Sequence, residues 1–165
     1  MADPDFSTFP LIPKGNQYQD FEPDQVFDHH WGRTFTKADA TFFSSIALRF
    51  NPLYFNVEFA RAHGHPDFVI DPLLVLCTTV GLSVEDLSEA GGPFLGVNDI
   101  EFHQPVYPGD TITAASRVVT KRESEKRPTA GIVTWRTEGR NQKGDLVLSY
   151  ERTNLVAKRR EKKAD

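Results

Sequence analysis

The chain has 165 residues, 39% of them hydrophobic and 13 of them phenylalanine, which is enough apolar material for one domain with a proper core. A formal net charge of −4 argues against a nucleic-acid binder. The longest apolar stretch, Phe68 to Leu82, is too short and too interrupted to span a bilayer, so no membrane partner is expected.

Prolines at positions 4, 10 and 13 and the lack of a basic-then-apolar leader pattern make residues 1–19 an irregular N-terminal arm. A first strand is predicted over 26–35. Thr36 and Asp39 then form a capping box (T-x-x-D) that opens a helix to about Leu48. Ala38, Phe42, Ile46 and Phe50 fall at helical spacing and mark its apolar face. Asn51-Pro52 breaks that helix, because the residue before proline avoids the α region. A short helix follows over about Val57 to His63, with Gly64 ending it. Asp71-Pro72 suits an N-cap followed by the first helical position. The run LLVLCTTVGL behind it is apolar nearly all round, as expected for a helix enclosed by a sheet. Cys77 lies in this run and reads as a buried small hydrophobe. As the single cysteine it cannot form an intrachain disulfide, which fits a cytoplasmic protein.

Four strands are predicted next, at about 94–103, 111–121, 129–140 and 145–157, with partial period-2 alternation in the last two. Pro108-Gly109-Asp110 turns the chain between the first and second of these. Glu123 to Pro128 is a charged loop, and Asn141 to Gly144 a hairpin loop. The order gives a single α+β domain over 20–158. Residues 159–165 form a charged tail, and the basic run Lys158 to Lys163 is read as solvated.

The words Gly32-Arg33-Thr34-Phe35-Thr36, Asn51-Pro52-Leu53, Pro105-Val106-Tyr107-Pro108-Gly109-Asp110-Thr111 and Asn141-Gln142-x-Gly144 together resemble the MaoC-like branch of the hot-dog superfamily. The resemblance implies a curved antiparallel sheet wrapped around a central apolar helix. It also implies a homodimer or higher homo-oligomer, and an enzyme adding water reversibly to an α,β-unsaturated acyl-CoA or acyl-carrier thioester without a cofactor. Arg49-Phe50, Phe59-Ala60-x-Ala62-x-Gly64-x-Pro66 and Ile70-Asp71-x-Leu73-Leu74-Val75 are similar to the mesaconyl-CoA hydratase (β-methylmalyl-CoA dehydratase) group. That group implies short branched acyl-CoAs with a second carboxylate, such as mesaconyl-CoA, or itaconyl-CoA among its neighbours.

The chain departs from the branch where the chemistry should sit. Arg49 stands at the place of a catalytic aspartate and Tyr54 at that of a histidine. Pro72 replaces a glycine whose N–H would serve an oxyanion hole. Hydration needs a base for water, an acid for the α-carbon and donors for the thioester oxygen; a dicarboxylic substrate adds a cation. Arg49 suits a carboxylate clamp, with a surface arginine at a helix end as the simpler reading. Asn51 and Pro72 complete the expected substrate-binding set. Asp71 is the candidate base, or simply an N-cap. Tyr54 offers a phenol donor, or packs. Either His63 or His65 could replace the lost imidazole. His29 and His30 face opposite sides of a strand, and His103 sits beside the turn. His63-x-His65 lacks a third ligand, so no metal is expected. A catalytically degenerate hot-dog protein that binds a thioester or a partner subunit, or a hot-dog thioesterase, are the alternatives.

Overall fold

The structure, a computed structural model, describes residues 15–159. Its strands are β1 (Val26–Thr34), β2 (Phe94–Phe102), β3 (Thr111–Glu123), β4 (Ala130–Arg140) and β5 (Leu146–Ala157). They form one antiparallel sheet in the order β1-β3-β4-β5-β2. Helices α1 (Lys37–Ile46), α2 (Val57–Ala62), α3 (Pro72–Leu82) and α4 (Val84–Leu87) all lie in the connection from β1 to β2. This is the α+β arrangement expected from the sequence. Among the described residues no helix is long and apolar enough to cross a membrane.

Alternation sets the inward face. Ile112, Ala114, Ser116 and Val118 are buried along β3 while Thr113 and Arg117 are exposed, and Val133, Trp135 and Thr137 continue the buried rows on β4. Helix α3 lies on this face. At Gly139 an added Cβ would stand 3.3 Å from the Thr79 side chain, so helix and strand meet where the strand has no side chain.

The sheet encloses only one side of α3. Val75 and Thr79 are buried, whereas Leu73 is 40% exposed and Cys77 is exposed, so the cysteine is not the buried hydrophobe expected. A run that is apolar all round does not say which side the sheet takes. Helix α1 shows the same effect. Its capping box is as predicted, with Thr36 N donating to Asp39 Oδ2 at 2.8 Å and Asp39 N to Thr36 Oγ1 at 3.2 Å. It ends at Ile46, ahead of Leu48, which adopts a left-handed φ of 53°. The face expected to pack is turned outward: Phe42, Ile46 and Phe50 are exposed, and the small Ala40 and Ser44 are buried instead.

Residues 15–19, expected within the irregular arm, pack on the domain. A short 3₁₀ turn, Tyr18–Asp20, sets Tyr18 against Phe21, Val118 and Trp135. Residues 1–14 of the predicted arm and 160–165 of the predicted tail lie outside the described residues. Gly131 makes room for Tyr18, since a Cβ there would fall 2.1 Å from its ring. Gly131→Ala is expected to expel the ring and cost about 1–3 kcal/mol in urea unfolding. In a Tyr18→Ala background the same change should cost clearly less.

The Pro108-Gly109-Asp110 turn places the site. Gly109 has a φ of 99°, and Asp110 Oδ2 accepts from Tyr107 N at 2.9 Å. Gln142, in the β4–β5 hairpin, donates to Asp110 Oδ1 at 2.7 Å and accepts from Thr111 N at 3.0 Å. The two motifs therefore lock one another. Ile70 N donates to Val106 O at 2.8 Å, which brings the turn beside the segment entering α3.

Candidate active site

Asn51 accepts from Leu53 N at 3.1 Å and caps the 3₁₀ turn Pro52–Tyr54, and Leu53 O accepts from Val69 N at 2.8 Å. Asn51 thus shapes the wall that carries Tyr54. Arg49 Nε donates to Asp71 Oδ2 at 2.7 Å, and the guanidinium lies 5.7 Å from the Tyr54 ring. Asp71 has no exposed surface, while the Arg49 side chain is 39% exposed. Its hydrogen bond and charge raise the Arg49 pKa above the ordinary guanidinium value. Among the described residues no second carboxylate pairs with Arg49.

Asp71 does not have the surroundings of a general base. Its Oδ1 accepts from Leu73 N at 2.8 Å, Oδ2 is held by Arg49, and the group is closed to solvent. Of the two roles expected of Asp71, this geometry fills the N-cap, and the same carboxylate fixes the arginine. The same capping spends the first amides of α3. Leu74 N and Val75 N donate to Asp71 O at 2.9 and 3.2 Å, Leu73 N to Asp71 Oδ1, and Pro72 has no N–H.

A cavity of about 300 Å³ opens at this end of α3, lined by Tyr54, His65, Pro72, Phe102, His103 and Gln104 among others. His65 Nδ1 is 2.9 Å from Tyr107 Oη. Burial, then the nearby Asp110 carboxylate, push the Tyr107 phenol up, so it stays protonated. His65 Nε2 has no protein partner among the described residues. His63 points elsewhere: its Nδ1 is 2.8 Å from Phe59 O and its ring stacks on Phe59, outside the cavity lining. Of the two candidate histidines, only His65 reaches the cavity. The site so assembled offers an imidazole, a phenol and a cation held nearby. Sequence reasoning did not single out Phe102, Gln104 or Tyr107, nor give His103 a chemical role.

A second polar array lies between β1, α4 and β3. Buried His29 is 2.6 Å from Asp86 Oδ2 through Nδ1 and 2.8 Å from Ser116 Oγ through Nε2, and Ser116 continues to Thr137 Oγ1 at 2.8 Å. The order Asp–His–Ser has the form of a nucleophilic triad. Ser116 is 1% exposed, however, so this array ties the helical layer to the sheet and does not meet a substrate.

The mesaconyl-CoA hydratase family's sequence profile matches residues 10–165. The chain is 37% identical over 147 residues to the mesaconyl-CoA hydratase of Haloarcula hispanica, covering 88% of this chain and 41% of that protein. It superposes on a MaoC-domain dehydratase structure from Chloroflexus aurantiacus with a TM-score of 0.83 at 32% identity, over 88% of this chain and 41% of that one. A monoamine oxidase regulatory protein from Archaeoglobus matches over its whole length and 91% of this chain, with a TM-score of 0.79 at 27% identity. The chain thus spans under half the length of the mesaconyl-CoA hydratase and β-methylmalyl-CoA dehydratase relatives it matches, although the fold also occurs in a chain that it covers completely. On the match of the profile and the identity to the archaeal hydratase, the chain belongs to the mesaconyl-CoA hydratase family.

Proposed function

We propose that the protein is an acyl-CoA hydratase/dehydratase acting on a short, branched enoyl thioester with a second carboxylate, of the mesaconyl-CoA or itaconyl-CoA kind. The observation that carries this reading is the Arg49 guanidinium, fixed by the buried Asp71 beside a cavity lined by Tyr54, Pro72 and His65. A guanidinium held along its Nε edge keeps terminal donors for a substrate carboxylate. His65 is the proton-handling residue. With Nδ1–H donated to the Tyr107 oxygen, its Nε2 accepts a proton from water in the cavity. The names of the relatives point to the same substrate class.

The test is loss of enoyl absorbance with mesaconyl-CoA, itaconyl-CoA and crotonyl-CoA. Turnover of none of the three would end the reading. Arg49→Ala is expected to raise KM for the two dicarboxylic substrates about 10- to 100-fold, the range of one charge-assisted pair, and to leave crotonyl-CoA little changed. Equal losses on all three would remove the clamp.

The loss of the Asp/His pair favours one alternative, a protein that binds the thioester and does not hydrate it. Calorimetry showing tight crotonyl-CoA binding without turnover would establish it. For either reading we propose a homodimer. The sheet edge at β2 exposes Phe94, Leu95, Ile100 and Phe102, and α3 leaves Leu73 uncovered. A second copy of this chain is the occupant proposed. Sedimentation should give a dimer, and a monomer would remove it. An exposed free thiol, Cys77, fits the cytoplasm as its setting.

A further inference from the structure

Negative charge grows on the thioester oxygen as water adds, and it needs a donor in place. The start of α3 has none to give: Pro72 lacks an N–H, and Leu73, Leu74 and Val75 spend theirs on Asp71. His103 lines the same cavity as Pro72. Its Nε2 is 2.9 Å from Ser149 Oγ, and Ser149 is 1% exposed. Arg136 Nη2 donates to that same oxygen at 2.9 Å.

Hydrogen-bond arithmetic then fixes the imidazole. A serine hydroxyl has one proton, and an arginine can only donate. Ser149 Oγ has a second lone pair, but accepting from His103 as well would bury its own proton with no acceptor among the described residues, so the satisfied arrangement has Ser149 donating to His103 Nε2. Neutral His103 therefore carries its own proton on Nδ1, which has no protein partner among the described residues. Two charged groups adjoin the pair from neighbouring strands. Glu101 Oε2 is 3.7 Å from Nε2, and Arg136 lies 3.8 Å from the same carboxylate and offsets it.

We infer that His103 is the donor to the thioester oxygen, presenting Nδ1–H where a helix amide would otherwise serve, and that Ser149 is the positioning residue that sets its tautomer. This rests on the acyl-thioester reading above. In the hydration step the water oxygen bonds to Cβ and its proton passes to His65 Nε2. The Cα=Cβ π pair shifts, leaving an enolate whose oxygen accepts from His103 Nδ1–H. The pair returns to Cα as that carbon takes the proton from His65, so one water is added and both imidazoles end as they began.

The experiment uses the whole chain with butyryl-CoA, a saturated thioester labelled with ¹³C at the carbonyl, followed by NMR beside steady-state hydration. The bound carbonyl should move downfield with wild type and with His65→Gln, and should not move with His103→Ala. His103→Ala should lower kcat about 10²- to 10³-fold at nearly constant KM, the usual loss on removing one oxyanion donor. His103→Asn, which returns a side-chain donor near Nδ1, should restore part of both signals. Ser149→Ala should lower kcat by a smaller factor and shrink the carbonyl shift. A His103→Ala variant that binds butyryl-CoA with the full carbonyl shift, or keeps wild-type kcat, overturns the inference. If wild type binds butyryl-CoA yet hydrates no enoyl-CoA, the hydratase reading falls and the carbonyl shift still decides the role of His103. If butyryl-CoA does not bind, both fall.

Discussion

His65→Gln is expected to lower kcat for enoyl hydration about 10²- to 10⁴-fold, the usual contribution of a positioned proton-transfer group, with thioester binding little changed. The expectation follows from how the ring is held. Gly64, with a φ of 87°, turns the chain out of α2, and His65 N returns to Ala60 O at 3.1 Å, so the imidazole is delivered by a fixed backbone. Tyr107 secures Nδ1 at 2.9 Å from a turn that is itself tied to Asp110 and Gln142. One ring nitrogen is therefore spent on positioning and the other is left for chemistry. Tyr107→Phe removes the positioning alone, so it should lower kcat by a smaller factor than His65→Gln and shift the pH profile of kcat. His63→Gln, two residues away and turned toward Phe59, should leave the rate as it was. Stopped-flow enoyl absorbance gives all three. A His65→Gln variant with wild-type kcat would remove the residue from the chemistry. A loss of rate matched by an equal loss of folded protein in circular dichroism would reduce it to a structural role.

What could be read from the chain depended on how local the cause was. The capping box at Thr36 and Asp39, the helix start at Asp71-Pro72 and the Pro108-Gly109-Asp110 turn are short-range geometry, and each stands where the residues put it. The meander was legible for the same reason. What covers an apolar face is not local. Phe42 and Ile46 keep helical spacing yet face outward, and Cys77 sits on the open side of α3. The site divides in the same way. Arg49, Tyr54 and Pro72 were found because the resemblance set them against a catalytic pattern, and the structure gathers them at one end of α3. Asp71 was left between a base and an N-cap because the bonds that bear on the choice come from Leu73 N, two residues on, and from Arg49, 22 residues back. The pairings His65–Tyr107 and His103–Ser149 join residues 42 and 46 positions apart, and no spacing rule reports such contacts.

Trp135→Ala is expected to cost about 3–5 kcal/mol of folding free energy, more than any other single truncation considered for this chain. Trp135 has no exposed surface and meets the Phe21 ring edge-on at 5.1 Å. The Arg152 guanidinium lies over the ring, 5.6 Å from its centroid. Arg152 is 1% exposed and has no carboxylate partner among the described residues; it donates to Ser83 Oγ at 3.2 Å and Ser88 Oγ at 3.3 Å, and burial lowers its pKa. The indole face therefore offsets part of the cost of burying that cation. Removing the ring leaves a cavity and exposes that cost together. Trp135→Phe keeps an aromatic face and should lose much less. Arg152→Met removes the cation, so Trp135→Ala measured in that background should cost less than in wild type, by an interaction of about 0.5–2 kcal/mol. Urea unfolding followed by far-ultraviolet circular dichroism measures each corner of the cycle. Strict additivity would show that the ring serves only as volume, and that hydrogen bonds to Ser83, Ser88 and Val80 O compensate the buried arginine without it.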